Sequence, residues 1–138
     1  MKVLKTMIIF FASIFLVSVS PGAQAACTAA QIGGTWRVFA VTGHVPAYEG
    51  TARGTLVFSA TGALNTSSSS LVLSTGQTLR FSNGHGQVGS TCKTTGSLVM
   101  TNGKTMTLVD GQMNGSRNFV SAVYKQSDGD VGLVNFIK

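Results

Sequence analysis

Glycine-containing dipeptides break the chain into short apolar segments, and this spacing constrains the fold more than any other feature of the sequence. Asn102-Gly103 and Asp128-Gly129 each stand between two runs rich in Val, Thr, Leu and Phe. Both dipeptides are typical of the two-residue type I′ turn of a β-hairpin, whose central residues need positive φ. Thr61-Gly62 and Thr75-Gly76 divide the chain in the same way. Because no segment after residue 25 keeps the 3.6-residue apolar period of a helix, the pattern predicts an all-β chain.

Candidate strands follow one another along the chain, the first over residues 34–42 and the last over Val131–Ile137. We count about eight of them, mostly joined by short turns. A sheet of consecutive antiparallel strands loses its exposed edges when it closes. We therefore expect an up-and-down antiparallel β-barrel of about eight strands, with a two-sheet β-sandwich as the alternative. Ala29–Ile32 is expected to form a short helical turn, and residues 43–53 and 82–90 are expected to be loops.

Residues 1–25 have the three parts of a secretory signal peptide. Two lysines near the start precede an almost uninterrupted apolar run over residues 7–19, and Ala23-Gln24-Ala25 supplies the small residues that a signal peptidase recognises. We therefore expect cleavage after residue 25. The remaining residues, 26–138, are expected to form a single β-barrel domain in the periplasm or outside the cell.

Cys27 and Cys92 are the only two cysteines of the chain. In an oxidising compartment an isolated pair of cysteines predicts a disulfide. This bond would close a loop of about 65 residues and stabilise the fold by about 4 kcal/mol in the chain-entropy model. Lipidation of Cys27 is the competing possibility, but the aliphatic residue expected three positions before the cysteine is missing, since Gln24 stands there.

The positive charge of the chain is spread out rather than clustered. The formal net charge is +6, and the loss of Lys2 and Lys5 with the signal peptide lowers it to +4. Nucleic-acid binding needs a basic stripe or patch, so no nucleic-acid partner is expected. No integral membrane insertion is expected either. The one helix-length apolar run leaves with the signal, and most candidate strands look shorter than the roughly nine to eleven residues of a membrane strand.

No catalytic or metal-binding motif stands in a suitable context. Residues 84–89 match the Gly-x-Gly-x-x-Gly dinucleotide fingerprint, but a strand and not a helix is predicted after them. His44 and His85 are the only histidines, and they lack the spacing of a metal site. A Gly-x-Ser-x-Gly nucleophile motif is also absent. We therefore expect a protein that is not an enzyme and that uses no cofactor and no metal.

Gly34-Thr35-Trp36, at the start of the first strand, resembles the Gly-x-Trp signature of lipocalins and related calycins. The resemblance implies an eight-stranded up-and-down barrel in which Gly34 and Trp36 close the base and small apolar ligands enter at the opposite end. It also implies that a basic residue, Arg117 or Lys138, packs on the tryptophan. Avidins share the early Gly-x-Trp, but their biotin pocket depends on several tryptophans. With one tryptophan, this chain is not expected to bind biotin.

The first functional hypothesis is an exported, soluble β-barrel that binds a small, partly apolar ligand in a lipocalin-like manner. If Asp128-Gly129 is a two-residue turn, Tyr124 lies opposite Leu133 on one face of the last hairpin. Phe58, Tyr124 and Leu133 are then the candidate lining residues, with Tyr124 and Arg80 orienting the ligand. If the other face of the hairpin points inward, Phe136 replaces Tyr124 and Leu133.

The second hypothesis is a protein-binding module, such as an inhibitor of a cell-wall-degrading enzyme or a secreted effector. A rigid disulfide-linked barrel would present loops to a secreted or periplasmic protein. Residues 43–53 and 82–90, which include His44, Tyr48 and His85, would form the contact surfaces.

Overall fold

The computed structural model describes residues 26–44 and 47–138 of the protein, and for residues 44 and 47–49 it describes the backbone alone. The predicted signal peptide, residues 1–25, lies outside the described residues. A 3₁₀ turn at Ala29–Ile32 precedes the first strand, as the sequence predicts, and a second one precedes β3 at Thr66–Ser68. The described residues contain eight strands: β1 Gly34–His44, β2 Ala47–Phe58, β3 Ser70–Leu73, β4 Thr78–Val88, β5 Thr94–Met100, β6 Thr105–Met113, β7 Phe119–Gln126 and β8 Val131–Ile137.

The eight strands form a closed antiparallel barrel in which each strand pairs with the next and β8 pairs with β1. At the seam, Val38 lies opposite Phe136 and Ala40 lies opposite Val134. The prediction of an up-and-down barrel is confirmed, and the sandwich alternative is wrong. Closure satisfies the backbone of β1 and β8, which would otherwise be exposed edges.

The strands are not uniformly short. β1, β2, β4 and β6 have 11, 12, 11 and 9 residues, so the expectation that most strands fall short of membrane-strand length is wrong. Within the described ranges, no helix is long and apolar enough to cross a bilayer.

The tight turns belong to a different class from the one predicted. In the last hairpin, the N–H of Gln126 donates to the carbonyl of Asp130 (2.7 Å) and the N–H of Gly129 donates to the carbonyl of Gln126 (3.1 Å). These bonds enclose a three-residue loop, in which only Gly129 has positive φ (+100°). The Asn102-Gly103 turn has the same bonds and a φ of +84° at Gly103. The predicted two-residue type I′ turns are therefore wrong, and three-residue loops with a left-handed last residue take their place.

The extra loop residue shifts the register of the last hairpin by one position. Leu133 lies opposite Val123 and not Tyr124, whereas Phe136 lies opposite Val120. Because side chains alternate between the two faces of a strand, this shift reverses the faces predicted for β8. Phe136 points into the barrel together with Tyr124, and Leu133 points to solvent.

The two ranges predicted as loops lie mostly in strands. Residues 43–44 complete β1, residues 47–53 begin β2, and most of 82–90 belongs to β4. The glycines of β4 explain the misreading, because they occupy inward positions where large neighbours leave no space. A Cβ on Gly84 would lie 2.8 Å from Leu98 and 2.9 Å from Leu64. These glycines therefore allow close packing inside the barrel and do not mark a loop.

The disulfide predicted between Cys27 and Cys92 is present and links residues 65 positions apart. It joins the segment before β1 to the turn between β4 and β5, and the N–H of Cys27 adds a hydrogen bond to the carbonyl of Ser90 (3.1 Å). Cys92 has a φ of +63°, and it occupies the place that glycine holds in the turns at Gly103 and Gly129. A side chain in this conformation costs about 1–2 kcal/mol, so the disulfide is formed at a strained position.

Two double variants separate the disulfide from the backbone strain. Cys27→Ala with Cys92→Ala should lower the free energy of unfolding by about 4 kcal/mol, because the unfolded chain regains the freedom of the loop. Cys27→Ala with Cys92→Gly should recover about 1 kcal/mol of that loss, because glycine adopts positive φ without strain. Urea unfolding followed by tryptophan fluorescence measures both values. Equal stability of the two variants would contradict the strain at residue 92.

Candidate functional site

The base of the barrel is closed around Trp36, whose side chain is fully buried. Its indole N–H donates to the carbonyl of Ile32 (2.7 Å), and its ring meets Phe136 edge-on with the centroids 6.5 Å apart. The Nζ atom of Lys138 lies 4.8 Å from the indole centroid and donates to the carbonyl of Gln31 (2.9 Å). Lys138 thus stands where the family resemblance expects a basic residue, and burial lowers its pKa. The 3₁₀ turn, the indole and the last residue together seal this end.

The space above the base is almost completely filled. A cavity of about 20 Å³ remains there, bordered by Phe58, Leu98 and Phe136 among others. A volume of this size accommodates at most about one water molecule. Phe58 and Phe136 therefore pack the lower half of the barrel and do not border a site for a larger molecule.

The opposite end of the barrel is open and contains a cavity of about 230 Å³, here called the mouth cavity. It lies between the hairpin turns that join β3 to β4, β5 to β6 and β7 to β8. Its floor consists of buried apolar side chains, namely Ala52, Leu71, Met100 and Met106. Its rim is polar and includes Thr51, Ser74, Thr75, Gln77, Asn102 and Lys104. An apolar floor with a polar rim is typical of small-molecule sites.

Tyr124 forms one wall of the mouth cavity and is positioned by a glycine. Its hydroxyl hydrogen-bonds to the hydroxyl of Thr42 on β1, across the intervening strand β8. Gly132 on β8 pairs with both Thr42 and Tyr124, and a Cβ there would lie 2.6 Å from the tyrosine ring. The ring therefore covers the glycine. The hydroxyl also lies 3.4 Å from the carbonyl of Val41.

The phenol of Tyr124 is kept neutral by its surroundings. Burial raises its pKa above the usual value of 10.0, the hydrogen bond with Thr42 partly offsets this, and the negative charge of Asp130 raises the pKa again. The cavity is therefore bordered by an uncharged hydroxyl and by the carboxylate of Asp130. This pair can orient a polar group of a bound molecule by hydrogen bonds.

An ion pair connects two of the turns at the rim. The Nζ atom of Lys104 lies 2.5 Å from a carboxylate oxygen of Asp128, and this hydrogen bond lowers the pKa of Asp128. Both side chains are substantially exposed, so the pair adds little stability. The ion pair links the β5–β6 turn to the β7–β8 turn beside the cavity.

Of the five candidate ligand-binding residues, the structure places Tyr124 alone at the mouth cavity. Phe58 and Phe136 lie at the base, as described above. Arg80 precedes the inward Phe81 on β4, so alternation directs it to solvent. Leu133 is 60% exposed on the outer wall because of the register shift. Arg80 and Leu133 therefore cannot line the interior.

The floor residues were not among the candidates from sequence. Met100 and Met106 flank the Asn102-Gly103 turn, and each lies at an inward position of its strand. Alternation of side chains along the strands on either side of that turn predicts that both methionines point inward. Whether a cavity lies above them depends on residues from other strands. Leu71 and Ala52 carried no signal that distinguishes a cavity floor from a packed core.

No metal site is evident at either end. Within residues 26–44 and 47–138, no three His, Cys, Asp or Glu side chains converge in a way that could hold a metal ion. His85 lies on the outer face of β4 and contacts the carbonyl of Thr61 through Nε2 (3.2 Å). The polar groups that line the mouth cavity are hydroxyls, amides, the ammonium of Lys104 and the carboxylate of Asp130, and two methionines add thioethers.

Comparisons with known proteins define the class of fold. No protein-family model matches the chain, and no curated protein matches it. Designed β-barrels are similar to it in structure. One de novo designed fluorescence-activating β-barrel is 18% identical, with a TM-score of 0.56 over 77% of this chain and 92% of the designed chain. The redesigned barrel mFAP1, solved with bound DFHBI, is 16% identical, with a TM-score of 0.60 over 81% of this chain and 100% of mFAP1. At these identities the similarity shows the fold alone.

Titration of Tyr124 tests the environment described here. In a Tyr48→Phe variant, Tyr124 is the one remaining tyrosine, and its absorbance change should occur above pH 10.0. Because the folded-state pKa is raised, the stability due to the neutral phenol is complete below about pH 10 and is lost as the pH rises through the folded-state value. Tyr124→Phe should lower the free energy of unfolding by about 1 kcal/mol at neutral pH.

Stability measurements at alkaline pH supply the control. The stability difference between wild type and Tyr124→Phe should shrink above about pH 10, since only the wild type has a buried phenol to ionise. Tyr48→Phe measured alone accounts for the other tyrosine. A difference that stays constant with pH would contradict the raised pKa.

Proposed function

We propose that this protein binds a small, partly apolar molecule in its mouth cavity. The observation that carries the proposal is the cavity of about 230 Å³ above a sealed and packed base. A barrel filled along its whole length would have no room for such a ligand. Here Trp36, Phe58 and Phe136 pack one end, and the other end combines a buried apolar floor with hydrogen-bonding groups.

The dimensions of the cavity limit the ligand. The cavity is smaller than the roughly 300–1,000 Å³ of typical sites for drug-sized molecules. The filled base prevents deeper insertion. The ligand is therefore a compact molecule, or one end of a longer molecule whose remainder projects past the turns into solvent.

The chemistry of the walls indicates how the ligand is held. The apolar part contacts Leu71, Met100 and Met106, whose methionine side chains adapt to different shapes. The polar part faces Tyr124 and Asp130 at the upper wall. Hydrogen bonding by these two groups fixes the orientation, whereas the apolar contact supplies most of the affinity.

Several further observations support this function. The designed barrels mFAP1 and mFAP0, which share the fold, have DFHBI bound. The sealed base and open mouth match the arrangement implied by the lipocalin resemblance. The disulfide accords with an exported protein that acts in the periplasm or outside the cell. We propose action by binding, without catalysis.

The protein-binding alternative depended on two loops. Most of the described part of residues 43–53 and 82–90 lies in strands, whereas residues 45–46 and the side chains of His44 and Tyr48 lie outside the described residues, so no observation favours that hypothesis. The mouth cavity therefore carries the proposed function.

A cavity-filling substitution tests the proposal. N-Phenyl-1-naphthylamine, a neutral apolar fluorophore, should bind with a blue-shifted increase in fluorescence. Ala52→Phe should weaken this binding at least about tenfold, because the added ring occupies the space above the floor. Ala63→Phe adds the same ring at an exposed position between β2 and β3, where Ala63 pairs with His85, and should bind the probe like the wild type.

Thermal unfolding shows that both variants are folded before the titration. Two results would refute the proposal. One is an absence of probe binding by the wild type, and the other is equal binding by the wild type and Ala52→Phe.

A further inference from the structure

The outer wall of the barrel has exposed apolar side chains on three adjacent strands, β1, β8 and β7, with the polar Asn135 between Leu133 and Ile137 on β8. Phe39, Leu133 and Ile137 are 49%, 60% and 50% exposed. Leu133 on β8 lies between Val41 on β1 and Val123 on β7, each directly opposite it. These five side chains define the β1–β8 face. Clusters of exposed apolar side chains often mark sites where a protein contacts another protein or a membrane.

Basic residues are interleaved with this face by the sheet register. Arg53 on β2 lies directly opposite Phe39, and Arg37 on β1 lies directly opposite Ile137. Lys125 on β7 lies opposite a third exposed apolar residue, Val131. Directly opposite side chains on one face of a sheet have Cβ atoms about 5 Å apart. Each of the three cations therefore stands next to an exposed apolar side chain.

Acidic residues are rare in the same area, and the side chain of Glu49 on β2 lies outside the described residues. Among the residues whose side chains the structure describes, no outward position of β1, β2, β7 or β8 carries an acid. The nearest is Asp110 on β6, which lies opposite Val123 and borders the face on one side. Asp128 is paired with Lys104 in the β7–β8 turn, and Asp130 lines the mouth cavity. Three cations against the one bordering acid, Asp110, leave the β1–β8 face apolar and net positive.

We propose that the β1–β8 face docks the protein on an anionic lipid bilayer as a peripheral contact. Phe39, Leu133 and Ile137 enter the boundary between headgroups and acyl chains, and the neighbouring Arg37, Arg53 and Lys125 contact anionic headgroups. Apolar insertion combined with attraction of basic side chains is the physical basis of peripheral membrane binding.

The positive charge of the β1–β8 face favours an anionic bilayer over a second copy of the chain as its partner. Pairing of two β1–β8 faces would bring the three cations of each copy together against a single bordering acid from each copy, Asp110. An anionic bilayer instead supplies negative charge beside an apolar layer. The mouth cavity opens at the end of the barrel, whereas this face lies on its wall, so docking and ligand binding use different side chains.

Vesicle sedimentation tests the proposal with the protein purified as its cell produces it. The protein should sediment with vesicles of mixed phosphatidylglycerol and phosphatidylcholine, remain in solution with phosphatidylcholine alone, and be released by added salt. Phe39→Ser combined with Leu133→Ser should reduce binding at least about tenfold. Arg37→Gln and Arg53→Gln should each reduce it about fivefold.

A matched control exists on the neighbouring strand. Val109 on β6 is 51% exposed but lies outside the β1–β8 face and next to Asp110, so Val109→Ser should leave vesicle binding unchanged. All of these positions are exposed, and probe binding in the mouth cavity should be unaffected by their substitution, which confirms that the variants are folded.

Four results would overturn the proposal. They are no sedimentation of the wild type with mixed vesicles, equal sedimentation with phosphatidylcholine alone, wild-type binding by the Phe39→Ser and Leu133→Ser double variant, and a dimer that dissociates in that variant without any binding to vesicles. The last result would assign the face to a second copy of the chain.

Discussion

Pairing between β1 and β8 is the constraint on which the rest of the structure depends, because it converts a sheet into a barrel. Once the seam between Val38 and Phe136 is formed, every strand has one inward and one outward face and no backbone edge is exposed. The interior then has a fixed volume that side chains must fill. Glycines on β4, such as Gly84, are needed where larger neighbours occupy that volume. Closure therefore explains both the core and the placement of its smallest residues.

Side chains fill the base of the barrel but leave space at the other end, and this space is the candidate site. Trp36 and Phe136 occupy the base, where the disulfide and the 3₁₀ turn hold the end shut. Ala52 at the other end is too small to fill the space between opposite walls, whereas the ring of Tyr124 occupies the space over Gly132. Tyr124 reaches across Gly132 to β1 and still leaves the mouth cavity open. The packed base and the unfilled space above Ala52 thus leave the mouth cavity open at one end.

The candidate site could be predicted only in part from sequence. Tyr124 was identified because an aromatic residue in an alternating strand is a natural wall residue, and it borders the mouth cavity. Leu133 was misplaced because one additional loop residue in the last hairpin reverses the faces of β8. Phe58 and Phe136 do point inward, but alternation says nothing about height along the barrel axis. To predict Met100 and Met106 as floor residues, their position along the barrel axis must be known. That position depends on how strands distant in sequence align.

Local features of the sequence determined the eight-strand barrel, the 3₁₀ turn at Ala29–Ile32 and the partnership of Cys27 with Cys92. Turn residues and the alternation of apolar side chains are local patterns, and two cysteines allow only one pairing. These features can therefore be interpreted without a structure. The tertiary structure alone decided the register of β8, the location of the mouth cavity and the clustering of cations around Leu133 on the outer wall. Each of these depends on the alignment of neighbouring strands, which a single inserted loop residue changes while the apolar pattern remains the same.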